Sequence, residues 1–295
     1  MEGEILKSFT ILTDSSCDLP ASMAEEMQLE VLPLTVYVEE DHYRNYLDGR
    51  EIGFHEFYQR LQTAKNVKTS AVNQAQFLEI MEPLVAAGND VLYLGFSSGL
   101  SGTCNAGALA AAELREKYPE RKIYVVDTLC ASLGQGLLVY LCWQQQRAGK
   151  SIEEVRDYAE ATKLHLCHWF TVDDLMFLKR GGRVSAATAI VGSMLSIKPV
   201  MHVDNDGHLI KVDIARGRKA SIRALAAEME KRGTDLAGQH IFISHGDCED
   251  DANYLAKLIR EKFAVKDITI NYVGPVIGAH SGPDTLALFF LGTER

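Results

Sequence analysis

No two of the six cysteines (Cys17, Cys104, Cys130, Cys142, Cys167 and Cys248) stand at C-x-x-C spacing. The usual zinc and redox signatures are therefore missing, and reduced core thiols in a cytoplasmic protein are expected. Basic charge is also short: 30 Lys and Arg against 40 Asp and Glu give a net charge of −10. That argues against nucleic acid as a broad partner, because phosphate binding needs a basic face. Any anionic ligand must find a local cluster of donors. The first residues carry Glu2 and Glu4 where a secretion signal needs a basic region. One long uncharged run, 128–146, contains Gln135, two glycines and three terminal glutamines. It is too polar to span a bilayer and reads as a buried helix with its entry loop. There is no G-x-x-x-x-G-K-[ST] and no G-x-G-x-x-G after a strand, so no nucleotide site is expected. No internal repeat and no linker-like stretch interrupts the chain.

What is present is the makings of a core. The 295 residues suggest about two domains at roughly 150 residues each, and the 47% hydrophobic content is globular. Strand-length apolar runs at 9–14, 32–38, 90–96 and 122–128 alternate with helical patterns at 19–28, 53–61, 74–87 and 103–118. That alternation predicts βαβ units and a mostly parallel sheet. The runs are continuous rather than alternating, as when helices cover both sheet faces. Ser151 and Glu154 form a capping box ahead of a charged helix. A second set follows. Strand candidates lie at 165–172, 239–246, 267–274 and 285–292, a hairpin turns at 204–207, and amphipathic or apolar helices cover 184–197, 221–233 and 250–263. The expected fold class is α/β with two domains, 1–165 and 166–295. The first has a mostly parallel sheet, the second a mixed sheet, and a ligand lies between them.

The stretch 95–102, "GFSSGLSG", sits where a strand ends and a helix begins, the usual ligand position in open α/β sheets. Its G-x-S-x-G match resembles a nucleophile elbow at Ser97, with Asp247 and His280 in the chain order a hydrolase needs. Its hydroxyls, Ser97, Ser98, Ser101 and Thr103, equally suit a helix cap or an anion-binding turn. "FLKRGGRVSAA" (177–187) sets Arg183 just ahead of a helix start, where a guanidinium and free amides attract a carboxylate or phosphate. His280 lies between two glycines in "IGAHSGPDT", where a tight turn is expected. His165 and His168 would point to opposite faces of a strand, and no metal site is expected. "ARGRKAS" (215–221) is a basic run suited to a helix start or a docking patch.

Several segments together resemble the DegV family: "TDSSCDLP", "KTSAVN", "SSGLSGTCNAG", "VVDTLCASLGQG", "LKRGGRVSAATAIVGSMLSIKPVM", "RGRKA" and "VGPVIGAHSGPDTLALFFLG". They cover nearly the whole chain in family order. The resemblance implies a long-chain fatty acid held between two α/β domains. It also implies a role like that of the FakB component of a bacterial fatty acid kinase. Such a protein has no chemistry and no cofactor of its own. It presents the bound carboxyl group to a separate ATP-dependent kinase subunit, FakA, and the acyl phosphate feeds phospholipid synthesis. Carried over residue by residue, the carboxylate would be held by Thr69, by Ser97 or Ser98, and by Arg183 and His280. The kinase would dock near Arg216. The chain departs from the family pattern at Ala71, Val72 and Asn73 after "TS", and at Cys104 after "SGT". A carboxylate needs hydroxyl donors and a nearby cation to offset desolvation, and this residue set supplies them. An acyl chain of about fifteen methylenes would gain about 12 kcal/mol on burial, before binding costs. The uncharged segment 184–197 is the candidate tunnel wall. The alternative function is a serine hydrolase using Ser97.

Overall fold

The computed structural model describes residues 9–185 and 197–295. The expected tunnel-wall helix falls largely on 186–196, outside the described residues. Four parallel strands form the first sheet in the order β2-β1-β6-β7: β1 (Thr10–Asp14), β2 (Glu30–Leu32), β6 (Val91–Gly95) and β7 (Ile123–Asp127). Successive side chains leave a strand on opposite faces, and here both faces are covered. Leu12, Val91 and Tyr93 pack with α3 (Gln74–Ala86) and α4 (Thr103–Lys117). Ile11, Leu92 and Leu94 pack with α5 (Leu133–Arg147) and α6 (Ile152–Thr162). The uncharged run thus folds as the helix the sequence suggests, and the Ser151 capping box forms at the start of α6.

One strand expectation changes. The run 32–38 is split between sheets. Leu32 ends β2, whereas β3 (Thr35–Val38) pairs antiparallel with β4 (Asp41–Arg44) and β5 (Val67–Ser70) in a small sheet of its own. Pro33 has no N–H to continue the ladder, and the Leu34 amide donates instead to Ser15 Oγ at 3.0 Å.

Every strand of the third sheet lies after residue 165. Its order is β10-β9-β8-β13-β11-β12: β8 (Leu166–Thr171), β9 (Ile197–Val203), β10 (Leu209–Arg216), β11 (His240–His245), β12 (Asp267–Tyr272) and β13 (Leu286–Leu291). Only β11 and β12 pair in parallel, so the sheet is mixed. Its outer face packs on α8 (Arg218–Arg232) and α9 (Glu249–Lys262). Its inner face presents His168, Phe170, Val203, Ser244, Ala287 and Phe289 toward α5 and the first half. The helices α2 (Phe54–Thr63), α7 (Leu175–Arg180) and α10 (Pro275–Ser281) fill the seam beside it, and the short α1 (Ala21–Glu26) lies between β1 and β2 in the chain. No described helix is long and apolar enough to cross a membrane.

Arg295 ties the two halves together. Buried to 5% exposure, it donates to Leu129 O at 2.6 Å, to Asp204 O at 3.1 Å and to Lys163 O. Replacing Arg295 with Ala would strand these carbonyls and should cost about 2 kcal/mol. Urea unfolding would show the loss, and an unchanged midpoint would assign these bonds no net value.

Candidate functional site

An apolar cavity of about 180 Å³ lies between the two halves. The inner face of the third sheet forms one wall, and Leu34, Phe96 and Leu100 form the other. Polar residues of its lining include Thr69, Ser101, Arg183 and His280, with Ser132 and Ser244 among the others.

Each arrives by a local rule. Thr69 stands on β5, opposite Val36 of β3. Arg183 is aimed by the two preceding glycines. Helix α7 closes as a Schellman motif: the Gly182 amide donates to Lys179 O and the Arg183 amide to Leu178 O, both at 3.0 Å. Gly182 takes the left-handed conformation this requires, with φ of +72°. Gly181 must also be glycine, because a Cβ there would sit 2.2 Å from His280 Nδ1. His280 lies in the last turn of α10, not in the tight turn expected from its flanking glycines. Asn45 Oδ1 accepts from the Val276 amide at 2.9 Å near the start of that helix.

Thr69 Oγ1 and His280 Nε2 are 2.8 Å apart. Burial, and secondarily the Arg183 charge, lower the His280 pKa to about 4, so the imidazole is neutral at pH 7. Arg183 is half-buried, and burial lowers its pKa from the usual guanidinium value. Among the described residues it bonds only to carbonyls, those of Leu100 and Gly181, and has no carboxylate partner. The arrangement is a cationic, hydroxyl-bearing corner of an apolar chamber. It is chemically suited to one anionic head on a hydrophobic body.

The titration has a consequence for ligand-free protein. His280 has a folded pKa of about 4 against an ordinary 6.5, so the unfolded chain binds the extra proton between these values. Stability should therefore fall as pH drops through that window. His168, His202, His240 and His245 are lowered by burial too and act with the same sign. The variant His280→Gln should show a shallower decline in urea midpoint with falling pH. An unchanged slope would mean that His280 titrates alike in the folded and unfolded chain.

The other expected residues lie elsewhere. Ser97 is fully buried off the cavity wall, where its Oγ donates to Gly207 O at 2.9 Å and accepts from the Gly99 amide at 3.2 Å. Ser98 is exposed, and its amide donates to Asp127. The serine of this turn that lines the cavity is Ser101, whose Oγ lies 2.9 Å from Thr103 Oγ1 and accepts from the Thr103 amide at 3.3 Å. Nor are the residues of the hydrolase alternative joined by hydrogen bonds. Asp247 accepts from His55 at 2.9 Å, while Ser97 and His280 bond elsewhere. Arg216 is exposed at the end of β10, seven residues from cavity-lining Leu209 and so about 20 Å along the strand. His165 caps a turn against Thr293 O, whereas His168 reaches the cavity wall. Among the described residues, Asp204, Asp206 and His208 form one exposed metal-type grouping. The Asp204 carboxylate already orders the β9–β10 turn by accepting from the amides of Asp206 and His208.

Residues 8–293 match the family described as "Uncharacterised protein, DegV family COG1307". The chain belongs to the DegV family. A DegV domain-containing protein of Clostridium perfringens is 48% identical over 98% of this DegV chain and 99% of its own. Among solved structures, a DegV lipid binding protein of Thermotoga maritima is 30% identical with a TM-score of 0.85, covering 98% of this chain and 99% of its own. A DegV family protein of Thermus thermophilus described for its fatty acid binding is also 30% identical, with a TM-score of 0.85, covering 97% and 99%.

Proposed function

We propose that this DegV protein holds a long-chain fatty acid in the inter-half cavity. Its carboxyl group is presented to a separate ATP-dependent fatty acid kinase subunit in the cytoplasm, which forms an acyl phosphate for phospholipid synthesis. Residues 1–165 and 166–295 act as the two units that enclose the chain. The observation that carries the reading is Arg183. A half-buried guanidinium with no acidic partner among the described residues, beside the Thr69–His280 pair, is a receptor awaiting an anion. A fatty acid carboxylate supplies that charge, and the apolar walls take its tail. Thr69, Ser101, Arg183 and His280 are assigned to the head group, with Ser97 supporting the turn that carries Ser101. In this cradle the protein makes and breaks no bonds, and no cofactor is required. The lipid- and fatty acid-binding relatives of the same architecture support the reading.

The kinase would dock at the exposed Arg216, away from the cavity. The variant Arg216→Ala should take up oleate normally, yet its bound oleate should be phosphorylated about tenfold more slowly by the partner kinase with ATP, since rim charges govern encounter rates. Loss of oleate uptake instead would show that Arg216 serves the lipid site. Wild-type protein loaded with oleate that yields no acyl phosphate with any kinase subunit from the source cell would overturn the presentation role.

A further inference from the structure

We propose that Ser132 is a second functional site: an acyl nucleophile, with Asp18 as its base, that cleaves activated acyl esters whose chain occupies the same cavity. The proposal shares the acyl-binding cavity with the reading above and needs no kinase.

Ser132 stands in the turn between β7, which ends at Asp127, and α5, which begins at Leu133. Its backbone is held at φ +54° and ψ −146°, close to a region that glycine alone visits freely. Such strain persists only where surrounding contacts enforce it, and it gathers at functional sites. A serine strained at a strand-to-helix turn is the geometry of a nucleophile elbow. The sequence supplies the S-x-G half of that signature in Ser132, Leu133 and Gly134. A Cβ at Gly134 would sit 2.1 Å from His168 Nε2, so the helix can approach only with glycine there.

The chemistry around the hydroxyl is present too. Ser132 Oγ donates to Asp18 Oδ2 at 2.6 Å and lies 2.9 Å from Ser244 Oγ. Asp18 is buried, with its Oδ1 set against the Gly274 backbone. Burial raises its pKa to about 8, which suits a base working near neutral pH. Ser132 and Ser244 both line the apolar cavity. At the start of α5 the Gly134 amide donates to Ala131 O at 3.1 Å, and the Leu133 amide, with no acceptor within the helix, can receive a developing oxyanion.

In the reaction, Asp18 takes the Ser132 proton as Oγ bonds to the carbonyl carbon. The C–O or C–S bond to the alcohol or thiol then breaks, and that leaving group takes the proton from Asp18. Water adds to the acyl–Ser132 ester, giving a proton to Asp18. The Ser132 oxygen leaves and recovers that proton, and a free fatty acid is released.

The test uses delipidated full-length protein with a fluorophosphonate probe and with p-nitrophenyl octanoate, and oleate uptake is measured on the same sample. The expected result is a one-to-one adduct on Ser132 and p-nitrophenol release that falls at least about a hundredfold in Asp18→Asn and in Ser132→Gly. The glycine variant relieves the backbone strain, so misfolding does not explain its loss. Labelling should rise about tenfold between about pH 6.5 and pH 8. Normal oleate uptake with no adduct on Ser132, or with the adduct on another serine, overturns the proposal and leaves fatty acid binding standing. Failure of both labelling and uptake overturns the acyl cavity as well.

Discussion

Replacing Arg183 with alanine is expected to weaken oleate binding about a hundredfold. The carboxylate would remain in a low-dielectric corner with only the neutral Thr69–His280 pair and Ser101 beside it. Truncating one partner of a buried charge pair leaves the other unpaired, which costs several kcal/mol. Residual binding survives because the tail still buries its methylenes. The ligand-free fold should not suffer, since Arg183 pays a desolvation cost there without an acidic partner among the described residues. Lysine at 183 should recover part of the affinity, because a point charge cannot reproduce the planar fork. Displacement of a fluorescent fatty acid would measure each variant. Unchanged affinity in Arg183→Ala would remove this residue from the head-group site.

The second large effect is on the ligand. Palmitate should bind about four orders of magnitude more tightly than octanoate. Eight methylenes at about 0.8 kcal/mol each give about 6 kcal/mol, and part of that is lost in ordering the longer chain. The walls that make the difference are apolar side chains from both halves: Leu34, Phe96 and Leu100 from the first, Phe170, Ala287 and Phe289 from the second. A flat dependence on chain length, by calorimetry at one pH, would mean that the cavity takes the head group alone.

β1, β6 and β7 of the parallel sheet were legible because each is a continuous apolar run, whereas β2, opening on exposed Glu30, was not. Nor was the split at Pro33. β4 is polar and largely exposed, so nothing in its composition announced a partner for β3. Of the cavity-lining residues, Arg183 and His280 stood out because glycine placement and a cation ahead of a helix leave a mark in sequence, whereas Thr69 was named only through the family resemblance. The hydroxyl turn could be located, but not which of its serines lines the cavity. Ser97 and Ser101 are one helical turn apart, and the Ser101 amide donates to Ser97 O. The choice rests on Ser97 meeting Gly207 across the chain, a contact 110 residues distant. Ser132 escaped notice for a similar reason. Its strain and its bond to Asp18 depend on packing between α5 and the segment after β1, which spacing does not encode.

Native mass spectrometry of gently purified, bacterially expressed protein tests fatty acid binding most directly. The expected spectrum shows one long-chain fatty acid per protein, released on denaturation and restored by adding oleate or palmitate. Protein that carries no lipid and takes up neither acid would contradict it.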